Sequence, residues 1–322
     1  MFIRIVCCVL KRNSTLLDVV IVNWNAGVQL LNCVHSVLDS GSTYVERLII
    51  VDNASTDDSI FPLRTLPALE VIDSGGNLGF GRACNLGARG GSSDFILFLN
   101  PDAALFPETL TKALGYMNAL PNADVGICGV QLLDEAGHIS RSCTRFPSSL
   151  GFVAHAIGVD RIFPRFGHFM AEWEHTQTRQ VDHVIGAFFL VRRELFETLE
   201  GFDERFFIYL EDLDFSYRAY RLGWRSVYLA DVQAFHAGGG TSNQIKARRL
   251  FYSLRSRLLY SFKHFSWIGA SAVLMATLFV EPASRSVLAL LRRSWPGLKE
   301  TWAAYGMLWQ WLPRWATQGV TR

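Results

Sequence analysis

Three carboxylates crowd into four residues among aromatic side chains. Glu211, Asp212 and Asp214 follow Tyr209 in the segment Tyr209-Leu210-Glu211-Asp212-Leu213-Asp214. Like-charge repulsion and partial desolvation raise the pKa of at least one carboxyl in such a cluster, and a general base requires a raised pKa. The alternative is a solvated helix start, in which acidic residues are stabilised by the helix dipole. The segment by itself supports both interpretations equally.

Two further residues have side chains suited to a hard metal ion. Asp102 ends Asn100-Pro101-Asp102 after the apolar run Phe95–Leu99, and His236 precedes the glycine-rich segment Ala237–Gly240, which is able to close over a ligand. A carboxylate oxygen at a strand end can hold Mg²⁺ or Mn²⁺ against phosphate oxygens. One carboxylate is a weak metal site, and a lone histidine is more often structural. We therefore predict a metal site only if Asp102 and His236 come together.

A nucleotide pocket would need groups for the base and for the phosphates. Asp52 ends the run Leu-Ile-Ile-Val-Asp, where an acidic side chain can read the imide edge of a pyrimidine; a turn or cap is the alternative role. The segment Asn77–Asn85 contains Gly79, which permits close backbone approach, and Arg82, which can meet phosphates. Because no GxGxxG pattern follows the first apolar run, a nicotinamide cofactor is disfavoured.

The elements that must position these residues form a mostly parallel sheet. Four short apolar runs are separated by helix-like stretches, which is typical of an α/β fold. The runs are Val19–Val22, Leu48–Val51, Leu69–Ile72 and Phe95–Leu99. Ligands of open α/β sheets bind beyond the carboxyl ends of the strands. We therefore expect the polar clusters Asn23–Asn25, Asp52–Asp57, Gly75–Gly79 and Asn100–Asp102 to meet in one crevice.

The second half of the chain is less regular. The stretch Arg145–Arg179 is a long connection, and such connections often cover active sites. Regular structure is predicted again at Val184–Val191, followed by a helix over Arg192–Glu200.

Length and composition bound the class of protein. A chain of 322 residues can hold one large α/β domain and a modest extension. Its 31 basic and 29 acidic residues give a formal charge of +2, which excludes the polyanion-binding signature of nucleic-acid proteins. The six cysteines have no regular spacing and indicate reduced, mostly buried thiols. Residues 1–16 are interpreted as a leader whose apolar run is too short to span a membrane.

The last 79 residues, 244–322, change character. Basic residues alternate with aromatic ones, and the uncharged run Ser266–Val280 is interrupted by Glu281-Pro282 after 15 residues, too few for a spanning helix. Basic and aromatic helices of this kind are typical of segments that lie on an anionic membrane surface. A helical packing element or an oligomer contact is the alternative.

Seven segments, taken in order, resemble the family 2 glycosyltransferases, and within that family the bacterial rhamnosyltransferase-like branch. The resemblance covers roughly residues 17–260. The segments are Val20–Asn25, Val51–Asp57, Asn77–Gly81, Asn100–Asp102, Gly186–Arg193, Gly201–Glu204 and Glu211–Asp214.

The resemblance implies a GT-A fold in the α/β class, with a Rossmann-like, mostly parallel central sheet flanked by helices. It implies a glycosyltransferase domain over residues 17–243, with a nucleotide half at about 17–120 and an acceptor half at about 121–243. A helical tail over residues 244–322 would follow. It also implies transfer with inversion at the anomeric carbon.

The resemblance also assigns roles to single residues. Asp52 would read the uracil or thymine, and Asp212 would take the proton of the acceptor while Glu211 orients the acceptor or the base. Asp102 and His236 would contact the metal on the diphosphate. The remaining nucleotide residues would be Asn23, Asn25, Asn77, Gly79, Arg82 and Asn100, and the acceptor residues Gly186, Ala187, Tyr209 and Asp214. Because Asn100 stands where the family often has a first aspartate, strict metal dependence is in question.

The implied substrates are a nucleotide diphosphate sugar and a glycan acceptor. We expect dTDP-rhamnose, with UDP-galactofuranose or a UDP-hexose as alternatives. The acceptor is expected to be a lipid-linked glycan at the inner face of the cell membrane, reached by a cytoplasmic protein that is peripheral on that membrane. A non-catalytic scaffold that binds sugar nucleotides is the alternative of another class.

Overall fold

A computed structural model describes residues 15–41, 43–66, 69–161, 163–170, 172–238 and 246–321. The predicted leader at residues 1–16 lies almost wholly outside the described residues. Gly239 and Gly240 of the glycine-rich segment also lie outside them, as do the first two residues of the predicted tail.

Eleven strands and ten α-helices occur in the described part of the chain. The strands are β1 (Leu17–Asn23), β2 (Val45–Asp52), β3 (Leu69–Asp73), β4 (Phe95–Leu99), β5 (Ala103–Leu105), β6 (Val125–Leu133), β7 (Cys143–Thr144), β8 (Arg179–Val181), β9 (His183–Val184), β10 (Phe188–Arg192) and β11 (Arg225–His236). The helices are α1 (Val28–Gly41), α2 (Phe80–Ala88), α3 (Thr109–Asn118), α4 (Ser149–Ile157), α5 (Arg193–Thr198), α6 (Glu211–Arg221), α7 (Lys246–His264), α8 (Trp267–Met275), α9 (Glu281–Leu291) and α10 (Trp295–Gln318).

The main sheet has the order β3-β2-β1-β4-β10-β6-β11-β5, with β8 paired to β11. Strands β3, β2, β1 and β4 are parallel, β10 runs antiparallel between β4 and β6, and β6 is parallel to β11. The four strands predicted from apolar runs are confirmed as β1 to β4. Since Asn23 of β1 stands beside Asp52 of β2, the carboxyl ends of these strands meet at one edge.

Alternation along β1 supplies both faces of the sheet with apolar side chains. Val19 and Ile21 pack in the layer that contains Leu30 and Val34 of α1, whereas Val20 packs on the opposite face against α2. Burying each such side chain contributes about 1.5–3 kcal/mol, so the two layers fix the sheet from both sides. Helices on both faces of a parallel sheet are the α/β arrangement that the sequence predicts.

The C-terminal helices pack onto the sheet domain through α6 and the loop before it. Leu213 of α6 and Phe206 share an apolar cluster with Leu258 of α7 and with Tyr305 and Leu308 of α10, all at most 2 % exposed. The helices α7 to α10 are therefore part of one folded body with α6.

The predicted interruption at Glu281-Pro282 is wrong. A π-helical turn, Ala276–Val280, joins α8 to α9, and Pro282 lies in the first turn of α9. Glu281 is buried and forms ion pairs with Arg257 and Arg285. The resulting helix, Trp267–Leu291, is one that could cross a membrane by length and composition, with a mean hydropathy of 1.4 in a window that is one third buried.

Candidate active site

The carboxyl ends of β1, β2 and β4 open into a cavity of about 690 Å³. Its walls also include the connection Arg145–Arg179, the start of α6 and the start of α7. This volume lies in the range of small-molecule sites, which is about 300–1,000 Å³. The predicted crevice at the strand ends is therefore present.

Asp102 and His236 are brought together at one side of the cavity. β5 pairs with β11 so that His236 stands opposite Ala103, and the Ala237 amide donates to the Asp102 carbonyl oxygen at 3.1 Å. The His236 Nε2 atom then lies 3.3 Å from the Asp102 Oδ1 atom, and each side chain is 14 % exposed. Among the described residues no group of three or more His, Cys, Asp or Glu side chains could hold a metal. These two can supply one oxygen and one nitrogen ligand, leaving the other positions of a cation to a bound ligand and water.

Asp212 faces the same cavity from the first turn of α6. Its Oδ2 atom accepts a hydrogen bond from the Gly186 amide at 2.8 Å, and its Oδ1 atom accepts one from the Leu213 amide at 2.8 Å. The side chain is 18 % exposed. The Ala187 carbonyl oxygen in turn accepts from the Asn100 amide at 3.1 Å, so short backbone links connect Asp212 to the segment that carries Asp102.

A buried histidine lies behind Asp212. The Ser216 hydroxyl donates to the Asp212 carbonyl oxygen at 3.0 Å, so the His183 Nδ1 atom, 3.0 Å from that hydroxyl oxygen, must carry the proton and donate to it. Burial lowers the pKa of His183, although the charge of Asp212 acts in the opposite direction. A neutral His183 then presents the lone pair of Nε2 towards the Asp212 Oδ2 atom, 3.6 Å away.

Glu211 differs from Asp212 in its surroundings. It is 4 % exposed, and its Oε2 atom has no hydrogen-bond partner among the described residues. Burial, followed by the charge of Asp212, raises the pKa of Glu211 well above its usual range. The raised pKa predicted for one member of the acidic cluster therefore belongs to Glu211, and a raised pKa favours the protonated form of the carboxyl. A protonated carboxyl is a hydrogen-bond donor and a poor base.

Four non-glycine residues in the cavity wall or directly beside it have strained backbone conformations with positive φ. Tyr209 (69°) and Leu210 (66°) line the cavity, and Asn25 (53°) and Ala54 (64°) each follow a residue that lines it. Each such conformation costs about 1–3 kcal/mol and persists only where surrounding contacts impose it. The two consecutive residues Tyr209 and Leu210 set the direction in which α6 presents Asp212 to the cavity.

Gly79 allows two segments to touch. Its φ is +77°, and a Cβ atom there would lie 2.1 Å from the Phe207 carbonyl oxygen. That oxygen accepts a hydrogen bond from the Phe80 amide at 2.7 Å. Any side chain at this position would separate the Asn77–Gly79 loop from the segment that precedes α6.

Six of the seven predicted nucleotide residues divide into two groups. Asn77, Gly79 and Asn100 line the cavity. Asn23, Asn25 and Asp52 lie at the same sheet edge but do not line the cavity. The Asn23 amide nitrogen donates to Asp52 Oδ1 at 3.2 Å, and Asn25 Oδ1 accepts from the Thr56 amide at 2.6 Å. In this structure Asn23 and Asn25 thus organise the loop after β2.

The predicted acceptor residues also divide. Gly186, Ala187 and Tyr209 line the cavity, but Asp214 does not. The Asp214 carboxylate is fully buried and lies 2.6 Å from Lys263 Nζ. No acceptor can reach it in this arrangement.

Arg82, assigned to the nucleotide by the sequence, faces a second cavity instead. It is exposed on α2, and its guanidinium lies 3.4 Å from the Glu204 carboxylate.

Several residues that line the cavity had no role of their own assigned from the sequence. Trp24, Asn53, His168, Arg248 and Tyr252 all border the cavity. The long connection was expected to cover the site, but which of its side chains point inward depends on α4 and the turns after it. Asn53 follows Asp52 directly, and the polar cluster at that strand end is the signal that could have found it.

Residues 18–200 match the family described as Glycosyl transferase family 2, which is more than half of the chain. The chain belongs to glycosyl transferase family 2. One relative in this family is the N-acetylglucosaminyl-diphospho-decaprenol L-rhamnosyltransferase of Mycobacterium tuberculosis, 30 % identical over 79 % of this chain and 87 % of its own length. A second is the rhamnosyltransferase WbbL of Escherichia coli, 29 % identical over 66 % of this chain and 81 % of its own length.

Solved structures show that this family 2 glycosyltransferase has the GT-A fold. The mannosyltransferase PcManGT from Pyrobaculum calidifontis, in complex with GDP-Man and Mn²⁺, superposes with a TM-score of 0.56 at 18 % identity, over 92 % of this chain and 87 % of the other. The family match ends before α6, so Asp212 and the helices α7 to α10 lie beyond it.

Proposed function

We propose that this chain is an inverting, metal-dependent glycosyltransferase that transfers a sugar from a nucleoside diphosphate donor to an acceptor hydroxyl. One observation carries the proposal: the Asp102–His236 pair and the accessible carboxylate of Asp212 border the same cavity. A transferase of this kind needs a site for the leaving diphosphate and a base for the nucleophile, within reach of one sugar ring.

On the donor side, Asp102 and His236 would hold Mg²⁺ or Mn²⁺. When bound, the cation would neutralise charge on the diphosphate leaving group. Asn77 and Asn100 border the cavity with side-chain amides that can donate to the nucleotide. Asp52, at the same sheet edge, remains our candidate for reading the base, with Asn23 and Asn25 holding its loop.

On the acceptor side, Asp212 would accept the proton of the attacking hydroxyl. As that O–H bond breaks, the acceptor oxygen bonds to the anomeric carbon, and the bond from that carbon to the diphosphate oxygen breaks with its electron pair. A single displacement of this kind inverts the anomeric centre. Glu211 cannot share the role of base while it holds its own proton, but it can orient the acceptor or Asp212.

For the donor we propose dTDP-rhamnose, because relatives that cover most of the chain are named as rhamnosyltransferases. UDP-galactofuranose and a UDP-hexose remain the alternatives. For the acceptor we propose a lipid-linked glycan, because the mycobacterial relative is named for a diphospho-decaprenol acceptor. We assign the nucleotide half to about residues 17–120, the acceptor half to about 121–243 and the tail to 244–322.

We further propose that the tail rests on the inner face of the cell membrane. Large apolar side chains are exposed along α8 to α10, among them Trp267 (75 %), Ile268 (82 %), Phe279 (65 %) and Leu291 (77 %). Large exposed apolar side chains at this density are typical of an interaction site. Tryptophans near basic residues favour the membrane interface over a partner protein.

Binding of donors to the purified full chain tests the proposal. Calorimetry would compare dTDP-rhamnose, UDP-galactose, UDP-glucose and UDP-N-acetylglucosamine, each with Mn²⁺ and with chelator. Selection of one donor that depends on Mn²⁺ would support the metal-dependent transferase. Binding that is equal in chelator would remove the metal from the proposal, and binding of none of the four would remove these donors.

A further inference from the structure

A second cavity of about 420 Å³ lies between the sheet domain and the C-terminal helices. Its walls come from the start of α2, from α7 and from α10. It shares Asn77, Phe207 and Tyr252 with the first cavity, so the two spaces adjoin.

The second cavity is cationic. Arg82, Arg255 and Arg314 line it, and no carboxylate does so among the residues that the structure describes, although Arg82 also pairs with the partly exposed Glu204 carboxylate at 3.4 Å. These three come from α2, α7 and α10, so the cluster exists only when the tail is folded onto the domain. Guanidinium groups are the side chains best suited to phosphate oxygens, which they bind in a bidentate manner.

One of the three arginines is held in place by aromatic rings. Arg255 is 3 % exposed, and its guanidinium carbon lies 5.1 Å from the ring centre of Tyr252, 5.3 Å from Phe251 and 5.5 Å from Phe207. Contact with ring faces stabilises a buried cation. The three rings therefore hold the Arg255 guanidinium in the wall of the cavity.

The other walls are apolar. Phe251 and Tyr252 of α7 and Met307 and Trp311 of α10 border the space. Trp302 and Trp309, on the same helix α10, are 46 % and 45 % exposed, so this helix borders both the cavity and the exposed aromatic surface. A ligand that fits these walls has an anionic head and an apolar chain.

We propose that this second cavity binds the diphosphate and the first isoprenoid units of a lipid-linked acceptor, an inference that rests on the proposed function. A diphosphate diester carries two negative charges, which three arginines can meet. The adjoining first cavity would then receive the sugar end of the same molecule. In this arrangement Arg82 contacts the acceptor diphosphate, and not the nucleotide.

Calorimetry on the full chain with a soluble probe tests the proposal. The probe is farnesyl diphosphate, measured in chelator so that no cation at Asp102 and His236 can recruit its phosphates. Farnesol, inorganic pyrophosphate and dihexanoyl phosphatidylglycerol are the comparison ligands. Arg314→Gln removes an exposed arginine with little risk to folding, Arg314→Lys keeps the charge, and Arg292→Gln is the matched control outside the cavity.

We expect farnesyl diphosphate to bind about tenfold more tightly than farnesol or pyrophosphate, because only it uses both kinds of wall. Arg314→Gln should weaken that binding by about tenfold, Arg314→Lys by less, and Arg292→Gln not at all. Binding of the nucleotide sugar with Mn²⁺ should be the same in all variants.

Three outcomes would overturn the proposal. In the first, Arg314→Gln weakens the binding of the nucleotide sugar and of the probe equally. In the second, neither Arg314→Gln nor Arg255→Gln changes the affinity for the probe. In the third, phosphatidylglycerol binds as tightly as the probe. Failure of the wild-type chain to bind any nucleotide sugar, with probe binding retained, would reject the proposed donor chemistry and still support a lipid diphosphate site.

Discussion

The Gly186 amide donates a 2.8 Å hydrogen bond to the Asp212 Oδ2 atom. Gly186 directly precedes the Ala187 carbonyl that binds the Asn100 amide, so the orientation of Asp212 is tied to the strand end that leads to Asp102. A Cβ atom at position 186 would lie 3.2 Å from that same oxygen, which is tighter than ordinary contact. The backbone therefore fixes where the proposed base stands relative to the proposed metal pair.

Replacing the proposed base should abolish turnover and spare donor binding. Asp212→Asn keeps the shape of the side chain but cannot accept the acceptor proton, and loss of a positioned base typically lowers kcat by about 10²–10⁴-fold. Steady-state transfer assays, with donor affinity from calorimetry, measure both effects. Glu211→Gln is the comparison variant: because Glu211 is proposed to orient the acceptor or Asp212 and not to act as the base, this variant should retain more activity than Asp212→Asn. Full activity in Asp212→Asn would remove Asp212 as the base.

The metal pair should act through donor affinity. Asp102→Asn and His236→Ala each remove one ligand, and we expect the Mn²⁺-dependent part of donor binding to weaken by about tenfold or more. Affinity measured in chelator should not change. His138→Ala removes an exposed histidine from the turn after β6 and serves as the control. Identical Mn²⁺ dependence in Asp102→Asn and the wild-type chain would contradict this assignment.

Sequence patterns predicted the sheet and the meeting of its strand ends because both follow from local rules. The apolar runs that became β1 to β4 are bounded by polar turns, and parallel strands place their carboxyl ends together. The contact of Asp102 with His236 required in addition that β5 pair with β11. That pairing joins residues about 130 positions apart and has no local signature. For this reason the two residues could be predicted only as a combination.

The geometry of α6 explains why the sequence could not predict which carboxylate of the acidic cluster faces the cavity. Successive residues of an α-helix are about 100° apart, so Asp212 and Asp214 point about 200° apart. Asp212 faces the cavity, whereas Asp214 faces α7. Tyr209 and Leu210 adopt left-handed conformations directly before α6 and thereby determine where the helix begins. The sequence does not predict these conformations.

The pH dependence of stability should reveal the buried carboxyl of Glu211. Its pKa is raised in the folded chain, so the folded state binds this proton more tightly than the unfolded state, whose glutamates titrate near 4.5. Stability from this group is thus greatest below that pH and falls as the pH rises towards the folded pKa. Relative to Glu211→Gln, the wild-type chain should lose free energy of unfolding in urea between pH 5 and pH 8.

The control for this measurement is Glu194→Gln, which removes an exposed carboxylate from α5. The difference in unfolding free energy between Glu194→Gln and the wild-type chain should stay nearly constant over the same interval. A constant difference for Glu211→Gln as well would show that Glu211 is ionised in the folded chain.

Charges on the exposed apolar surface of the tail should release the protein from membranes. Ile268 and Leu291 are 82 % and 77 % exposed, and each contributes about 1.5–3 kcal/mol when it leaves water. Ile268→Glu with Leu291→Glu should therefore weaken co-sedimentation with vesicles of phosphatidylglycerol and phosphatidylcholine by more than about tenfold. Leu120→Glu changes a leucine that is 86 % exposed in the sheet domain and should have no effect. Unchanged sedimentation of the double variant, with intact circular dichroism, would favour the packing or oligomer role.

Asp214 should prove to be a stabilising residue of the joint between α6 and α7. Burial raises the pKa of its carboxyl. A hydrogen bond from His264 and the charges of Lys263 and Arg218 lower that pKa by a larger amount, so the net shift is downward. The carboxylate therefore stabilises the fold above its unfolded pKa near 3.8, and that stabilisation is lost as the pH falls through the lower folded pKa.

Asp214→Asn leaves the partly buried cations Arg218 and Lys263 without this buried counter-charge, and loss of one partner of a buried pair destabilises a protein by up to about 3–5 kcal/mol. Urea unfolding at pH 7 should show this loss, whereas the KM for the acceptor should not change in the fraction that remains folded. Glu197→Gln removes an exposed carboxylate that lies 3.8 Å from the Arg193 guanidinium and should change stability by less than about 1 kcal/mol. The opposite result would be an unchanged free energy of unfolding in Asp214→Asn together with a raised KM for the acceptor. That result would return Asp214 to the acceptor site, because only a residue in contact with the acceptor would change this KM and leave the fold intact.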